Sequence, residues 1–360
     1  MQLLRLALAL VACSAAFAPS SPRPPRRASV LSSSAAGDVY DQAYGTAVGV
    51  DQAAYGSTAF WDEVRSAVPG MDDAPSLDRF RGFVDNLRTD RPGEVLRLAN
   101  GQELLAQYVF PGLEELAPGV PRTAFPALPE LESALRDVAP LARDELAAAL
   151  RAAPLADDHA RQQVDDDDDG EGGVWNRAAW FGWQFMSIRD AKQWMPKTVR
   201  ALSGDAIPAA HRFVGVARQR ADCRGSLHSD QRNYLLSTVT GLQVPEGHCG
   251  IVVPAAGDAE EARLLADGQV VVLDNTFPHF VYNNADRDRF VLMAEVWHPG
   301  LSEAEVAAMK TLFAVKDKFT LLSLKQCPWG YSDDELMRAI AAKDHLEIGF
   351  WRDASFGLGA

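Results

Sequence analysis

Between Trp183 and Val296 the chain passes through seven short stretches rich in β-branched and aromatic residues. They are Trp183–Ile188, His211–Ala217, Tyr234–Val239, His248–Val253, Gln269–Leu273, His279–Tyr282 and Arg289–Val296, with Gly, Asn and Asp turns between them. Many short strands separated by turn residues close into a barrel or stack as a sandwich. This pattern predicts a mainly β body, and the flanks have a different texture. From Asp38 to about Ala156 apolar residues recur at helical spacing: Leu77, Phe80, Val84 and Leu87, then Leu131, Leu135 and Val138, and after Pro140 Leu146 and Leu150. Pro111, Pro118, Pro121, Pro126 and Pro129 mark a loop-rich connection between the two sets. Beyond the strands, Ser302 with Glu305 and Ser332 with Glu335 form two capping boxes, each opening a helix, and Val306, Met309 and Phe313 fall on one packing face.

Two segments stand apart. Residues 1–37 carry a short apolar run, Leu6 to Cys13, after Arg5, then a Pro/Ser/Arg stretch with no acid before Asp38. The run is too short to span a bilayer and reads as a cleavable signal followed by a transit-like stretch. The string SAAFAPSS, with Phe17 after small residues, resembles plastid-targeting presequences of algae with secondary plastids; an ordinary secretory signal is the alternative. Asp165 to Asp169 followed by Gly170, Glu171, Gly172 and Gly173 is a like-charge run that repels itself and buries no apolar surface. It imitates the opening of a calcium loop, but the closing glutamate would fall on Asn176, so calcium is not expected. The chain therefore divides into a presequence (1–37), a helical N-terminal region (38–156), an acidic flexible linker (157–173), a β domain (174–301) and a C-terminal helical extension (302–360).

With 35 basic against 49 acidic residues, the net charge of −14 argues against nucleic acid and against general attraction to anionic membranes. Removing residues 1–37 takes away four arginines and no acid, leaving the remainder more acidic still. Cys13 leaves with them, and Cys223, Cys249 and Cys327 are an odd number at wide spacing, which fits a reducing compartment better than a disulfide framework.

The β region also holds His228, Asp230 and His279 in H-x-D…H order, with Arg289 ten residues after the last histidine. Two neutral imidazoles and one carboxylate on one face are the ligand set of a non-haem Fe(II) centre that keeps positions open for O₂ and a co-substrate. A guanidinium nearby suits the far carboxylate of such a co-substrate. Each residue also has a plainer use. The histidines can be satisfied core residues, Asp230 can brace a turn, and Arg289 can pair with Asp286 or Asp288. His248 and Cys249 lack a second pair at ligand spacing and read as structural or surface residues, as do His159, His211, His298 and His345.

Around these positions, His228 with Asn233, Gly241-Leu242 with Pro245, Gly268 with Asp274 to His279, Arg289, and Trp297 to Leu301 follow one another in an order that resembles the aspartyl/asparaginyl β-hydroxylase family of 2-oxoglutarate-dependent dioxygenases. Weaker likeness extends upstream through Phe110–Leu113, Arg143–Leu146 and Pro196–Thr198, so the resemblance covers roughly Tyr108 to Glu305. It implies a double-stranded β-helix (cupin-like, jelly-roll) core preceded by the helical N-terminal region. It also implies His228 and His279 as iron ligands and Arg289 as the anchor of 2-oxoglutarate, with Fe(II), 2-oxoglutarate and O₂ as cofactor and co-substrates. Asp230 stands where the family's animal protein hydroxylases have a non-ligating residue and its bacterial lipid hydroxylases have an aspartate. Ser237 and Val239 stand where the animal enzymes place an arginine and a histidine against 2-oxoglutarate. The expectation is a hydroxylase of an unactivated C–H, acting on a protein Asp or Asn side chain or on a lipid or small molecule, in the plastid or alternatively the secretory pathway. A cupin-like binding protein without turnover is the rival.

Overall fold

The structure, a computed structural model, describes residues 48–88, 94–98, 102–152, 183–186, 188–203, 207–225, 227–254, 260–328, 331 and 333–356. The presequence, the acidic linker, Trp175, Trp180, His159 and Ser332 lie outside them.

Three helices open the described chain: α1 (Val48–Tyr55), α2 (Thr58–Ala67) and α3 (Asp78–Arg88). Ser57 caps α2 by accepting from Phe60 N, and α3 buries Phe80, Phe83, Val84 and Leu87, close to the spacing read from the sequence. Two antiparallel ribbons that the helical pattern did not announce follow: β1 (Val95–Arg97) with β2 (Glu103–Leu105), and β3 (Glu115–Ala117) with β4 (Val120–Pro121). The long helix α4 (Pro129–Ala152) continues through Pro140. Proline there forfeits one backbone hydrogen bond, a loss of about 3 kcal/mol in a helix interior. Burial of Leu131, Leu135, Val138, Ala142 and Leu146 along one face offsets it.

The β body follows as β5 (Trp183–Met186), the short helices α5 (Ile188–Trp194) and α6 (Pro196–Leu202), then β6 (Ala209–Gln219), β7 (Cys223–Arg224), β8 (Leu235–Gln243), β9 (Cys249–Pro254), β10 (Glu260–Leu264), β11 (Val270–Leu273), β12 (Phe280–Asn283) and β13 (Arg289–Trp297). They form two antiparallel sheets, β11-β8-β13-β6-β5 and β10-β9-β12-β7. Sequence neighbours fall repeatedly in opposite sheets, as in a jelly roll. The expected β core with flanking helices is therefore the observed one.

Side-chain alternation then sorts each central strand. Leu236 and Leu242 of β8, with Leu292, Ala294 and Val296 of β13, face out onto α4, α5 and α6. Val239 of β8 and Val291 of β13 face inward, meeting Ile251, Val253 and Val281 of the smaller sheet. Both faces are thus covered, which is why β8 is buried from Leu235 to Leu242. Gly241 is required in this strand, because a Cβ there would lie 2.0 Å from the carbonyl oxygen of Ala266. A second core joins α2, α3, Phe110 and Leu113 to Tyr234, Leu235 and Trp297 and to the C-terminal helix α7 (Glu303–Leu322). The capping box read at its start forms, with Ser302 and Glu305 bonding reciprocally. Two last helices, α8 (Asp333–Ala342) and α9 (Ile348–Phe356), pack through Leu336 and Trp351 with Tyr331 and Ala314.

Candidate active site

His228 lies in the loop before β8, and His279 immediately precedes β12. A single antiparallel bridge sets them opposite each other: His228 N donates to His279 O at 3.0 Å, and His279 N donates to His228 O at 2.8 Å. Directly opposed residues of such a pair project to the same face. The two imidazoles accordingly sit with ring centroids 4.4 Å apart, although 51 positions separate them in sequence.

Asp230 joins them, with its Oδ1 3.9 Å from His228 Nε2. Its amide donates to Asn275 O at 2.9 Å, so the two loops are laced together beside the histidines. The chain reverses just after it through a left-handed Gln231 (φ 61°). The turn is braced by Gln231 N, which donates to Ser229 Oγ at 3.3 Å. The Asp230 side chain is nonetheless only 6 % exposed, beside the 28 % exposed side chain of His228.

His279 Nδ1 lies 2.9 Å from the carbonyl oxygen of Phe277. That carbonyl can only accept, so Nδ1 carries the proton and Nε2 presents its lone pair. Burial, then the neighbouring His228 ring, holds His279 below the ordinary imidazole value, in the neutral form a metal requires. Donors about 2.1 Å from one cation and at right angles lie about 3 Å apart. At 3.9 Å, His228 and Asp230 stand slightly looser than that, and among the described residues no three His, Cys, Asp or Glu side chains are already closed on a common point. In residue type, shared face and tautomer the donor set fits a cation of the facial-triad kind.

Arg289 opens β13 opposite Gln219, on the inward-facing row that also carries Val291. It is 1 % exposed, and burial pulls its guanidinium down to about 10, offset in part by the Cys249 thiol. It therefore remains cationic at neutral pH. Asp288, a partner weighed for it from the sequence, instead accepts from Arg218 Nε at 2.6 Å. Across from Arg289, Gln219 is fully buried and its Oε1 has no hydrogen-bond partner among the described residues.

Several residues around the site were not singled out by sequence reasoning. Glu295, buried in β13, pairs in register with Ser237, whose Oγ accepts from Asn275 Nδ2 at 3.0 Å. Arg232 is buried beside them, and its guanidinium lies 5.4 Å from the Tyr108 ring. Burial alone would lower Arg232, but Tyr234 and Glu295 carry it above its ordinary value. His298 behaves as read from the sequence, its Nδ1 accepting from Gly300 N at 3.1 Å. Cys249 is buried with its Sγ 3.2 Å from Asn283 Oδ1, and His248 is exposed. Trp194 packs on the core beneath α4. The side chains of His211 and Trp183 lie outside the described residues.

The segment that bears these loops, residues 138–299, matches the family model described as Aspartyl/Asparaginyl beta-hydroxylase. That segment, a little under half of the chain, is similar to the aspartyl/asparaginyl β-hydroxylase family. Among similar proteins, the mouse aspartyl/asparaginyl beta-hydroxylase is 36 % identical over 59 residues, 15 % of this chain and 8 % of that protein. Mouse aspartate beta-hydroxylase domain-containing protein 2 is 27 % identical over 146 residues, 38 % of this chain and 40 % of that protein. The chain thus spans less than half the length of either relative. Among solved structures, a Pseudomonas putida prolyl-4-hydroxylase is 19 % identical, with 47 % of this chain and 100 % of that one covered at a TM-score of 0.29. A 2OG-Fe(II) oxygenase family oxidoreductase from Burkholderia pseudomallei is 18 % identical, with 28 % and 54 % covered at 0.25. Superpositions that loose carry no weight for the site.

Proposed function

We propose that this protein is an Fe(II)/2-oxoglutarate-dependent dioxygenase that hydroxylates an unactivated C–H bond. The observation that carries the reading is the convergence of His228, Asp230 and His279 on one face, with the cationic Arg289 buried on the inward row of the barrel strand β13.

His228 Nε2, His279 Nε2 and the Asp230 carboxylate would hold the metal, leaving the opposite positions open. When bound, iron with 2-oxoglutarate and O₂ supplies the oxidising power to insert a hydroxyl group, while 2-oxoglutarate leaves as succinate and CO₂. The Phe277 carbonyl keeps the His279 tautomer fixed through Nδ1. Arg289 would grip the distal carboxylate of 2-oxoglutarate by a charge-assisted, two-pronged contact, strengthened by its withdrawal from water. The buried Val239 and Val291 on the inner faces would help to exclude competing water.

The family name favours an Asp or Asn side chain of a protein as the substrate. The test is succinate release by the purified chain with Fe(II), ascorbate and 2-oxoglutarate across Asp- and Asn-containing peptides, acyl lipids and free amino acids. Stimulation by the peptides alone is the expected result; stimulation by lipid alone overturns the substrate, and no oxoglutarate turnover with any of them overturns the reading in favour of a non-catalytic binding protein. No helix among the described residues is long and apolar enough to cross a membrane. We assign the 1–37 segment to plastid import on the strength of SAAFAPSS; its fusion to a fluorescent protein appearing in the secretory pathway would replace that assignment with the alternative.

A further inference from the structure

We infer that Arg122, which precedes the family match, is a positioning residue for the metal ligands. The inference rests on the metal-site reading above. Arg122 side-chain exposure is 0 %, and its guanidinium reaches three separate pieces of chain. Nε and Nη2 donate to the two carboxylate oxygens of Asp274 at 2.6 and 2.7 Å. Nη1 donates to Asn233 O and to Leu113 O, both at 2.9 Å.

Both ends of this bridge lead to the ligands. On one side, Asp274 opens the turn that delivers His279. Its Oδ1 accepts from Thr276 Oγ1 at 2.5 Å, its main-chain oxygen accepts from Phe277 N at 3.1 Å, and the Phe277 oxygen fixes His279 Nδ1. On the other side, Asn233 closes the loop that begins with His228 and Asp230. The planar fork of an arginine can hold a carboxylate with two donors while a third reaches a carbonyl, which a lysine ammonium cannot do in the same geometry. The bridge therefore sets the distance between the loop carrying two ligands and the turn carrying the third.

Neighbouring contacts strengthen the same clamp. Gln102 Nε2 donates to Thr276 Oγ1 at 2.7 Å, and Leu105 N donates to Gln231 Oε1 at 2.9 Å. Phe110 exchanges two hydrogen bonds with the Asn233 amide, at 2.7 and 2.8 Å. Asp274 N donates to Ala124 O at 2.9 Å. Residues 102–124 thus grip the ligand-bearing loops at five places, all of them upstream of the segment the family shares.

The test uses the full-length chain and Co(II), whose visible spectrum reports the geometry of its ligands. The wild-type chain should bind Co(II) with a spectrum that His228→Ala abolishes. Arg122→Lys, with its thermal midpoint close to wild type, should bind Co(II) about ten- to a hundredfold more weakly and with shifted bands, as expected when the groups that orient metal ligands are altered. Wild-type affinity and an unshifted spectrum in Arg122→Lys would overturn the inference. If Arg122→Lys does not fold, Arg122→Met combined with Asp274→Leu removes both charges together, leaves no lone buried ion, and is judged by the same two readouts. A wild-type chain whose Co(II) spectrum is indifferent to His228→Ala would overturn the metal-site reading itself, a result separate from either outcome at Arg122.

Discussion

At the scale of single residues the site divides into groups defined by chemistry and groups defined by position. The roles proposed for His228, Asp230, His279 and Arg289 could be raised from the chain because a metal and a dicarboxylate would admit few residue types, and these occur in a workable order. If Asp230 is the third ligand, Asp230→Ala should reduce both iron content and succinate formation severely, since two neutral imidazoles alone would then hold a divalent cation. Normal iron and normal turnover in one preparation would sink the triad. Arg289→Ala should instead leave iron content near normal and raise the apparent KM for 2-oxoglutarate by about tenfold or more, corresponding to a lost charged hydrogen bond of about 1.5–3 kcal/mol. Arg122 and Arg232 were invisible because their partners are remote: Asp274 is 152 positions from Arg122, and Glu295 lies on the far side of the barrel sequence. His298 supplies a pH test. Burial, then Arg122, lowers it to about 4 in the folded chain, against about 6.5 when unfolded. A lowered imidazole stabilises the fold fully above the unfolded value and loses that contribution as pH falls toward the folded one. Between pH 7.5 and 5 the loss amounts to about 2 kcal/mol. His298→Asn keeps an acceptor for Gly300 N without a titrating ring, so urea melts at the two pH values should show wild type losing about 2 kcal/mol more than the variant. Equal losses would mean that His298 is not held neutral.

Among the elements, those with a long apolar period or strong alternation were legible, and those made by partners were not. Strands β8, β9, β11, β12 and β13 were foreseen to within a few residues because each offers an apolar row to a core. β10, EEARL, is exposed along its whole length and holds its place only by pairing with β9, so no apolar row announces it. Charged side chains on such an edge also discourage pairing with another chain. The N-terminal ribbons have two or three residues per strand, too few for any period to show. Pro140 is the converse case, a residue that disfavours a helix interior in a helix that continues through it. There the burial of Val138, Ala139 and Ala142 on the neighbouring face outweighs the local defect. Pro140 itself is exposed, so replacing it disturbs no core. Pro140→Ala should restore one hydrogen bond and raise stability by about 1–3 kcal/mol, seen as a higher denaturant midpoint with unchanged slope. A lowered midpoint would show that the proline shapes a bend which the packing of α4 requires.

For the whole molecule, the family match and the folded unit have different limits. The match begins at residue 138, inside α4, and would leave Leu131 and Leu135 of that helix behind. It also omits α2, α3 and α7, which enclose Tyr234, Leu235 and Trp297 against Phe110 and Phe313. Each large apolar side chain returned to water costs about 1.5–3 kcal/mol, while a whole domain is stable by only about 5–15 kcal/mol. Exposing those three barrel residues, together with the outer sheet face that the start of α4 covers, removes most of that margin. The Arg79 guanidinium adds a polar tie across the same boundary, bonding Glu305 at the start of α7 and the carbonyl oxygens of Gly112 and Gly300. A fragment comprising residues 138–299 should therefore fail to fold cooperatively, whereas a chain beginning at residue 38 and ending at 360 should melt in a single transition. Circular dichroism melts of the two preparations decide the point. A sharp transition in the fragment, accompanied by Co(II) binding, would show that the flanking helices are additions to an oxygenase already complete without them.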